Sequence, residues 1–139
     1  MYSYKYPRAA LTVDSIVFVK EAACTKILLI ERGIEPFKNK WALPGGFVNM
    51  DETLETACKR ELEEETGLRL KTMQQFGTYD AINSDPRHRT ISVVFSAQLN
   101  ETTKVKGSDD ATQASWFDID NLPELAFDHL QIVSKFFKT

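Results

Sequence analysis

Three glutamates, Glu61, Glu64 and Glu65, lie three and four residues apart within Thr53 to Thr66, a stretch that reads as a helix. On a helix advancing about 100° per residue, Leu54, Cys58 and Leu62 form a narrow apolar stripe. Glu61 and Glu65 fall about 20° to either side of Leu54, inside that stripe, and Glu64 lies on its edge beside Ala57. Lys59 and Glu63 point the other way. An ordinary amphipathic helix does not turn carboxylates toward its own core. Two like charges about 4 Å apart repel by about 4 kcal/mol at an effective dielectric near 20. Such carboxylates must either rise in pKa or recruit a cation. Oxygen donors alone favour a hard ion, Mg²⁺ or Mn²⁺, over zinc. The plain alternative is a solvated acidic helix face.

The elements that must hold this helix are short. Leu11 to Val19 and Lys26 to Glu31 are rich in Ile, Val and Leu and read as strands. Glu35 to Phe37 and Leu43 to Gly46 read as turns or loops, because Pro and Gly interrupt regular structure. Asp51 or Thr53 can cap the helix, and Gly67 stands where a left-handed C-terminal cap is expected. Arg69 to Tyr79 and Thr90 to Leu99 read as strands joined by the loop Asn83 to Arg89. Ser115 to Ile119 reads as a short strand before the break at Pro123. Leu130, Ile132, Val133, Phe136 and Phe137 make one amphipathic closing helix. Strands before and after a central helix, with a second helix at the end, predict an α/β (α+β) fold, a mixed sheet flanked by helices.

Composition narrows the class. The chain has 139 residues, 42% hydrophobic, with a net charge of −3. That is one domain's worth of residues, read as a single domain over 1–139. The acidic balance argues against a general nucleic-acid binder. No apolar run exceeds four residues, far short of the roughly 20 that a membrane-spanning helix needs. The N-terminus lacks the apolar stretch of a secretory signal. Cys24 and Cys58, without a C-x-x-C spacing, fit reduced thiols and a cytoplasmic location.

The run from Gly46 to Leu68 contains Gly46, Glu52, Arg60, Glu61, Leu62, Glu64, Glu65, Gly67 and Leu68. It resembles the Nudix hydrolase signature G-x5-E-x7-R-E-U-x-E-E-x-G-U, in which U is a bulky aliphatic residue, at every fixed position. Trp41-Ala42-Leu43-Pro44-Gly45-Gly46 before it, and Trp116-Phe117 and Leu122-Pro123 after it, also look like this family. The resemblance implies an α/β/α sandwich and hydrolysis of a nucleoside diphosphate linked to another moiety, with Mg²⁺ or Mn²⁺. It implies that Glu61, Glu64 and Glu65 hold the metal, with the Gly45 carbonyl as a backbone ligand. Glu52 and Arg60 then support the site, and Arg60 orients carboxylates rather than touching substrate. Divalent ions neutralise a diphosphate, position it and activate an attacking water. For a base outside the signature, Asp110 is the candidate, then Asp109. Gln113 stands where many relatives carry Glu, and Glu64 can serve instead.

Tyr6-Pro7-Arg8, Glu35 to Trp41, Asp85 to Val93 and Leu125 to His129 look most like the bacterial ADP-ribose pyrophosphatase-like subgroup. ADP-ribose needs an aromatic for adenine and cations for its diphosphate. Phe37 is the expected platform, and Arg32, Arg87 and Arg89 are the expected cations. His129 is expected at the pocket rim or as a satisfied helix-start residue. The expected reaction is ADP-ribose to AMP and ribose 5-phosphate. A nucleoside triphosphate or oxidised-nucleotide pyrophosphohydrolase shares the signature and differs only in its pocket. A nucleotide-sensing regulator would need a DNA-binding domain after the closing helix, and the chain is expected to end there. A nucleotide substrate, no nucleic acid, no membrane and compatibility with a homodimer complete the reading.

Overall fold

The computed structural model describes residues 3–107 and 111–138. Among the described residues the strands are β1 (Ala10–Lys20), β2 (Thr25–Arg32), β3 (Trp41–Ala42), β4 (Gly45–Phe47), β5 (Gln74–Tyr79), β6 (Thr90–Leu99) and β7 (Ala111–Asp118). The helices are α1 (Leu54–Thr66) and α2 (His129–Lys138). The strands form one mixed sheet in the order β3-β2-β1-β6-β5, with β4 also pairing β1 and β7 pairing β2. The long β1–β6 pairing is parallel, from Ala10↔Thr90 to Val19↔Leu99, and the others are antiparallel. The α/β reading of the sequence holds.

Period-two alternation sorts the side chains onto two faces. Val13, Val17, Leu28, Val93 and Phe95 pack with Ala57, Cys58 and Leu62 of α1. Their neighbours Ile16, Phe18, Ile27, Leu29 and Val94 pack with Ile132 and Val133 of α2. The sheet is therefore covered on both faces, which explains the continuous apolar runs in β1 and β2. Trp41 packs partly buried on the α2 side and Trp116 on the α1 side. No helix among the described residues is long and apolar enough to cross a membrane.

Local chemistry sets the ends of α1. The Thr53 hydroxyl accepts the Thr56 N–H at 3.2 Å, and Gly67 closes the helix at φ +80°. Four expectations need correction. Leu43 to Gly46 is not all loop, because Gly45–Phe47 is β4, paired to Thr12–Asp14 of β1. The fifth strand begins at Gln74 rather than Arg69, because the preceding backbone is held by α1 side chains instead. Lys59 donates to the Lys71 carbonyl, and Glu55 accepts the Met73 N–H. The last strand starts at Ala111, since β2 offers partners as far as Arg32. Leu130 is 53% exposed and lies off the buried face of α2.

Cys58 is fully buried on the α1 face, and burial, together with neighbouring carboxylates, raises its thiol pKa. Cys58→Ser should cost about 1–2 kcal/mol, because the hydroxyl loses solvation among apolar neighbours. Urea denaturation should show the loss while the catalytic rate stays unchanged. A fall in rate at unchanged stability would instead reveal a functional thiol.

Candidate functional site

Glu65 is the buried carboxylate of α1, 6% exposed. Its Oε1 accepts the Gly45 N–H at 2.8 Å, tying the end of the helix to β4. Burial pushes its carboxyl up to about 9; the Gly45 hydrogen bond opposes this, and the Glu61 and Asp14 charges add to it. Glu61 is half-buried, and burial raises it too, against the pull of Arg60. Glu61 lies directly under Gly46, where an added Cβ would meet its carboxyl carbon at 2.5 Å. Glu64 is exposed. The expected inward pair is thus Glu61 and Glu65, with Glu64 at the rim.

Arg60 gathers the other carboxylates. Its Nη2 donates to Glu52 Oε1 at 2.7 Å and its Nε to Glu52 Oε2 at 3.0 Å, a two-pronged pair. Its Nη1 reaches Glu61 at 2.7 Å and Glu64 at 3.1 Å, and Nη2 also meets the Phe47 carbonyl. The Arg60 bonds hold Glu52 below the usual carboxylate range, and Glu52 in turn anchors the Asn49 N–H. Arg60 therefore supplies the positive charge among Glu52, Glu61 and Glu64. Among the described residues no three His, Cys, Asp or Glu side chains are gathered closely enough to chelate an ion as they stand. The chemistry of the donors still fits a hard cation. A buried carboxylate raised to about 9 next to a second raised carboxylate gains most from a neighbouring divalent charge.

A cleft opens beside Glu65 and the two glycines of β4. Of the expected substrate residues, Arg32 and His129 line it. Arg32 lies over the Phe127 ring, 5.0 Å from its centroid, and its Nε donates to the Pro36 carbonyl. Phe37 does not line the cleft; it packs edge-on behind Phe127, with centroids 4.9 Å apart. Phe127, at φ +54°, is the aromatic that lines the wall. A bulky residue rarely adopts that backbone conformation, and strain of this kind gathers at functional sites. Arg87 and Arg89 also lie outside the lining. Arg87 turns back onto Asp85 at 2.7 and 3.0 Å, and Arg89 binds the Asp80 carbonyl at 2.6 Å. Both staple their own loop. Asp110 and Asp109 lie outside the described residues, and Gln113 donates to Glu31.

The sequence reading missed Asp14, Ser92 and Asp85 on the same wall. Asp14 interrupts the apolar run Leu11 to Val19, and a charge there is expensive unless it is used. That interruption was the signal.

Burial alone would raise Asp85, but the hydrogen bonds and charge of Arg87 outweigh it and hold the carboxyl low. This pair contributes stability above the ordinary Asp range, lost as pH falls through the depressed value. Arg87 is partly exposed, so Arg87→Ala should cost only about 0.5–1 kcal/mol at pH 7. The difference should vanish in acid, as measured by urea denaturation at a series of pH values.

Comparison with known proteins follows the same lines. The family described as NUDIX domain matches residues 9–136. An ADP-ribose pyrophosphatase of Methanocaldococcus jannaschii is 44% identical over 96% of this chain and 76% of its own length. The NUDIX domain of Shewanella oneidensis NrtR, solved in complex with ADP-ribose, superposes with a TM-score of 0.89 at 29% identity, covering 99% of this chain and 92% of that one. A bifunctional NMN adenylyltransferase/ADP-ribose pyrophosphatase of Francisella tularensis, solved with AMP and a manganese ion, gives 0.86 at 31% identity. That match covers 97% of this chain and 43% of the longer protein.

Proposed function

The chain belongs to the Nudix family of hydrolases, and from that premise we propose that it hydrolyses ADP-ribose to AMP and ribose 5-phosphate with Mg²⁺ or Mn²⁺. The observation that carries this reading is the meeting of Glu65 with Gly45 and of Glu61 with Gly46 along β4, beside a hydroxyl- and acid-lined cleft. The relative at 44% identity supports the substrate.

Glu61, Glu64 and Glu65 with the Gly45 carbonyl would hold the divalent ion, which when bound neutralises the diphosphate and lowers the pKa of water. The chain's own residues do the rest. The Glu65 bond to the Gly45 N–H fixes β4 against α1, so the donor atoms keep their spacing. Arg60 keeps Glu52, Glu61 and Glu64 together. Water adds to one phosphorus, the bridging P–O bond breaks, the bridging oxygen leaves with the other phosphate, and the water's proton passes to a carboxylate. Glu64 and Asp110 are the two carboxylates proposed for that proton, and Glu64→Gln against Asp110→Asn separates them.

The test is a substrate panel with products identified. ADP-ribose should exceed NADH, diadenosine polyphosphates, 8-oxo-dGTP and common nucleoside triphosphates in kcat/KM by about tenfold or more. Chelation by EDTA should abolish turnover. A triphosphate cleaved tenfold better than ADP-ribose would move the assignment to the pyrophosphohydrolase reading. Tight ADP-ribose binding without turnover in Mg²⁺ or Mn²⁺ would mark a sensor instead.

A further inference from the structure

Asp14 is a carboxylate in the middle of the central strand, 8% exposed, and it lines the cleft. Two elements face it, one of them bonded to it. The Ser92 hydroxyl of β6 donates to Asp14 Oδ2. His129, the first residue of α2, is 5% exposed, and its Nδ1 accepts the Leu43 N–H at 2.9 Å. An Nδ1 that accepts leaves the ring proton on Nε2. That Nε2–H faces Asp14 Oδ1 from 3.7 Å, beyond hydrogen-bond reach. Among the described residues no hydrogen bond reaches Oδ1. Asp14 is thus fixed through one oxygen by Ser92, while its other oxygen faces His129 beside the cleft without a hydrogen bond.

Its position says what it meets. A Cβ added to Gly45 would lie 2.3 Å from Asp14 Oδ1, so this oxygen borders the glycine that Glu65 holds. On the ADP-ribose reading, with the diphosphate at that glycine, a group directly attached to it would lie beside Asp14. Around it the cleft carries Asp85, Asp128 and the hydroxyls of Thr90 and Tyr79, with Arg32 as its one Lys or Arg among the described residues. Arg87 already pairs Asp85, so with one cation of its own such a wall offers little to a further phosphate and suits a neutral, donor-rich group.

We propose that Asp14, hydrogen-bonded by Ser92 and faced by His129, is a substrate-binding residue that accepts a hydroxyl of the neutral sugar attached to the diphosphate. The assignment rests on the ADP-ribose reading and deepens it: the sugar is recognised by an acceptor that lines the cleft. A site built to bind a hydroxyl discriminates strongly against an analogue lacking it, because its buried acceptor is then left unpaired.

The experiment compares ADP-ribose with an ADP ester whose terminal ribose is replaced by the hydroxyl-free tetrahydrofuranylmethyl group. Asp14→Ala should lower kcat/KM for ADP-ribose by about 20-fold or more, mainly through KM, and for the ester by less than about threefold. Melting temperatures accompany each variant. If Asp14→Ala does not fold, Ser92→Ala decides, since it leaves the carboxylate but loosens it. It should cost ADP-ribose about three- to tenfold and spare the ester. Equal losses on both substrates, or losses confined to kcat, would overturn the assignment in favour of a structural or metal-supporting role. Equal cleavage of both substrates by the wild-type enzyme would overturn it as well. A wild-type preference for triphosphates would instead sink the ADP-ribose reading, a result visible before any variant is made.

Discussion

Glu65→Gln should lose about a thousandfold or more in kcat while the protein folds normally. Gln keeps an oxygen for the Gly45 N–H and keeps the volume, so β4 stays attached to α1. What disappears is the charge that a divalent ion needs, an interaction made in the transition state rather than in packing. The stability effect has the opposite sign. Burial pushes Glu65 up to about 9 from an ordinary 4.5, so between those values the folded metal-free protein holds more protons than the unfolded chain. The stability of this group is therefore full below about 4.5 and lost as pH rises toward 9. A neutral Gln does not titrate. The metal-free variant should match or exceed the wild-type melting temperature near pH 9, with a flatter dependence on pH. Added Mg²⁺ should stabilise the wild type most at high pH, where binding displaces no proton, and should stabilise the variant little. Near wild-type turnover of Glu65→Gln at saturating Mg²⁺ would remove Glu65 from the metal site.

Gly45→Ala should be the most damaging of the small changes, costing about 2–4 kcal/mol together with most activity. Its new Cβ would lie 2.2 Å from the Val13 carbonyl oxygen and 2.3 Å from Asp14 Oδ1. The first obstacle is backbone, which cannot swing aside. The strands β1 and β4 would have to part, and with them the N–H that Glu65 accepts. Gly67→Ala gives the contrast. Nothing lies within 4 Å of a Cβ there, so only the left-handed backbone at φ +80° opposes it. That should cost about 1 kcal/mol and leave turnover intact. Denaturation and steady-state kinetics on the two variants separate a clash from a strained dihedral. Equal costs would show that close approach is not what keeps glycine at position 45.

These two residues also mark how far the sequence could be read. Glu65 was legible because helical period is a local property. Once Leu54, Cys58 and Leu62 define a buried stripe, Glu65 must share it, and a buried carboxylate announces chemistry. Gly67 was legible for the same reason, since a helix end is a local event. Gly45 was read as part of a turn, because glycine and proline reveal that regular structure is interrupted without revealing what approaches. The approach of β1 comes from Thr12 to Asp14, far back in the chain, and nothing local encodes it.

The cleft shows the same division. Phe37, Arg87 and Arg89 have the chemistry to bind a nucleotide, and composition cannot tell a binding cation from a loop staple. Arg87 lies beside Asp85 in sequence as well as in space, and the nearer carboxylate captures it. Phe127 stood within the segment Leu125 to His129 and Asp14 interrupted an apolar run, but neither feature told which wall each would line. By itself the sequence determined the helix, its inward carboxylates and the family. Those depend on periodicity and short spacing, which survive in one dimension. Only the tertiary structure decided which side chains share the cleft, because Asp14, Ser92 and His129 meet through a parallel β1–β6 pairing and a closing helix far along the chain. Packing brings them together, and packing is a property of the whole fold.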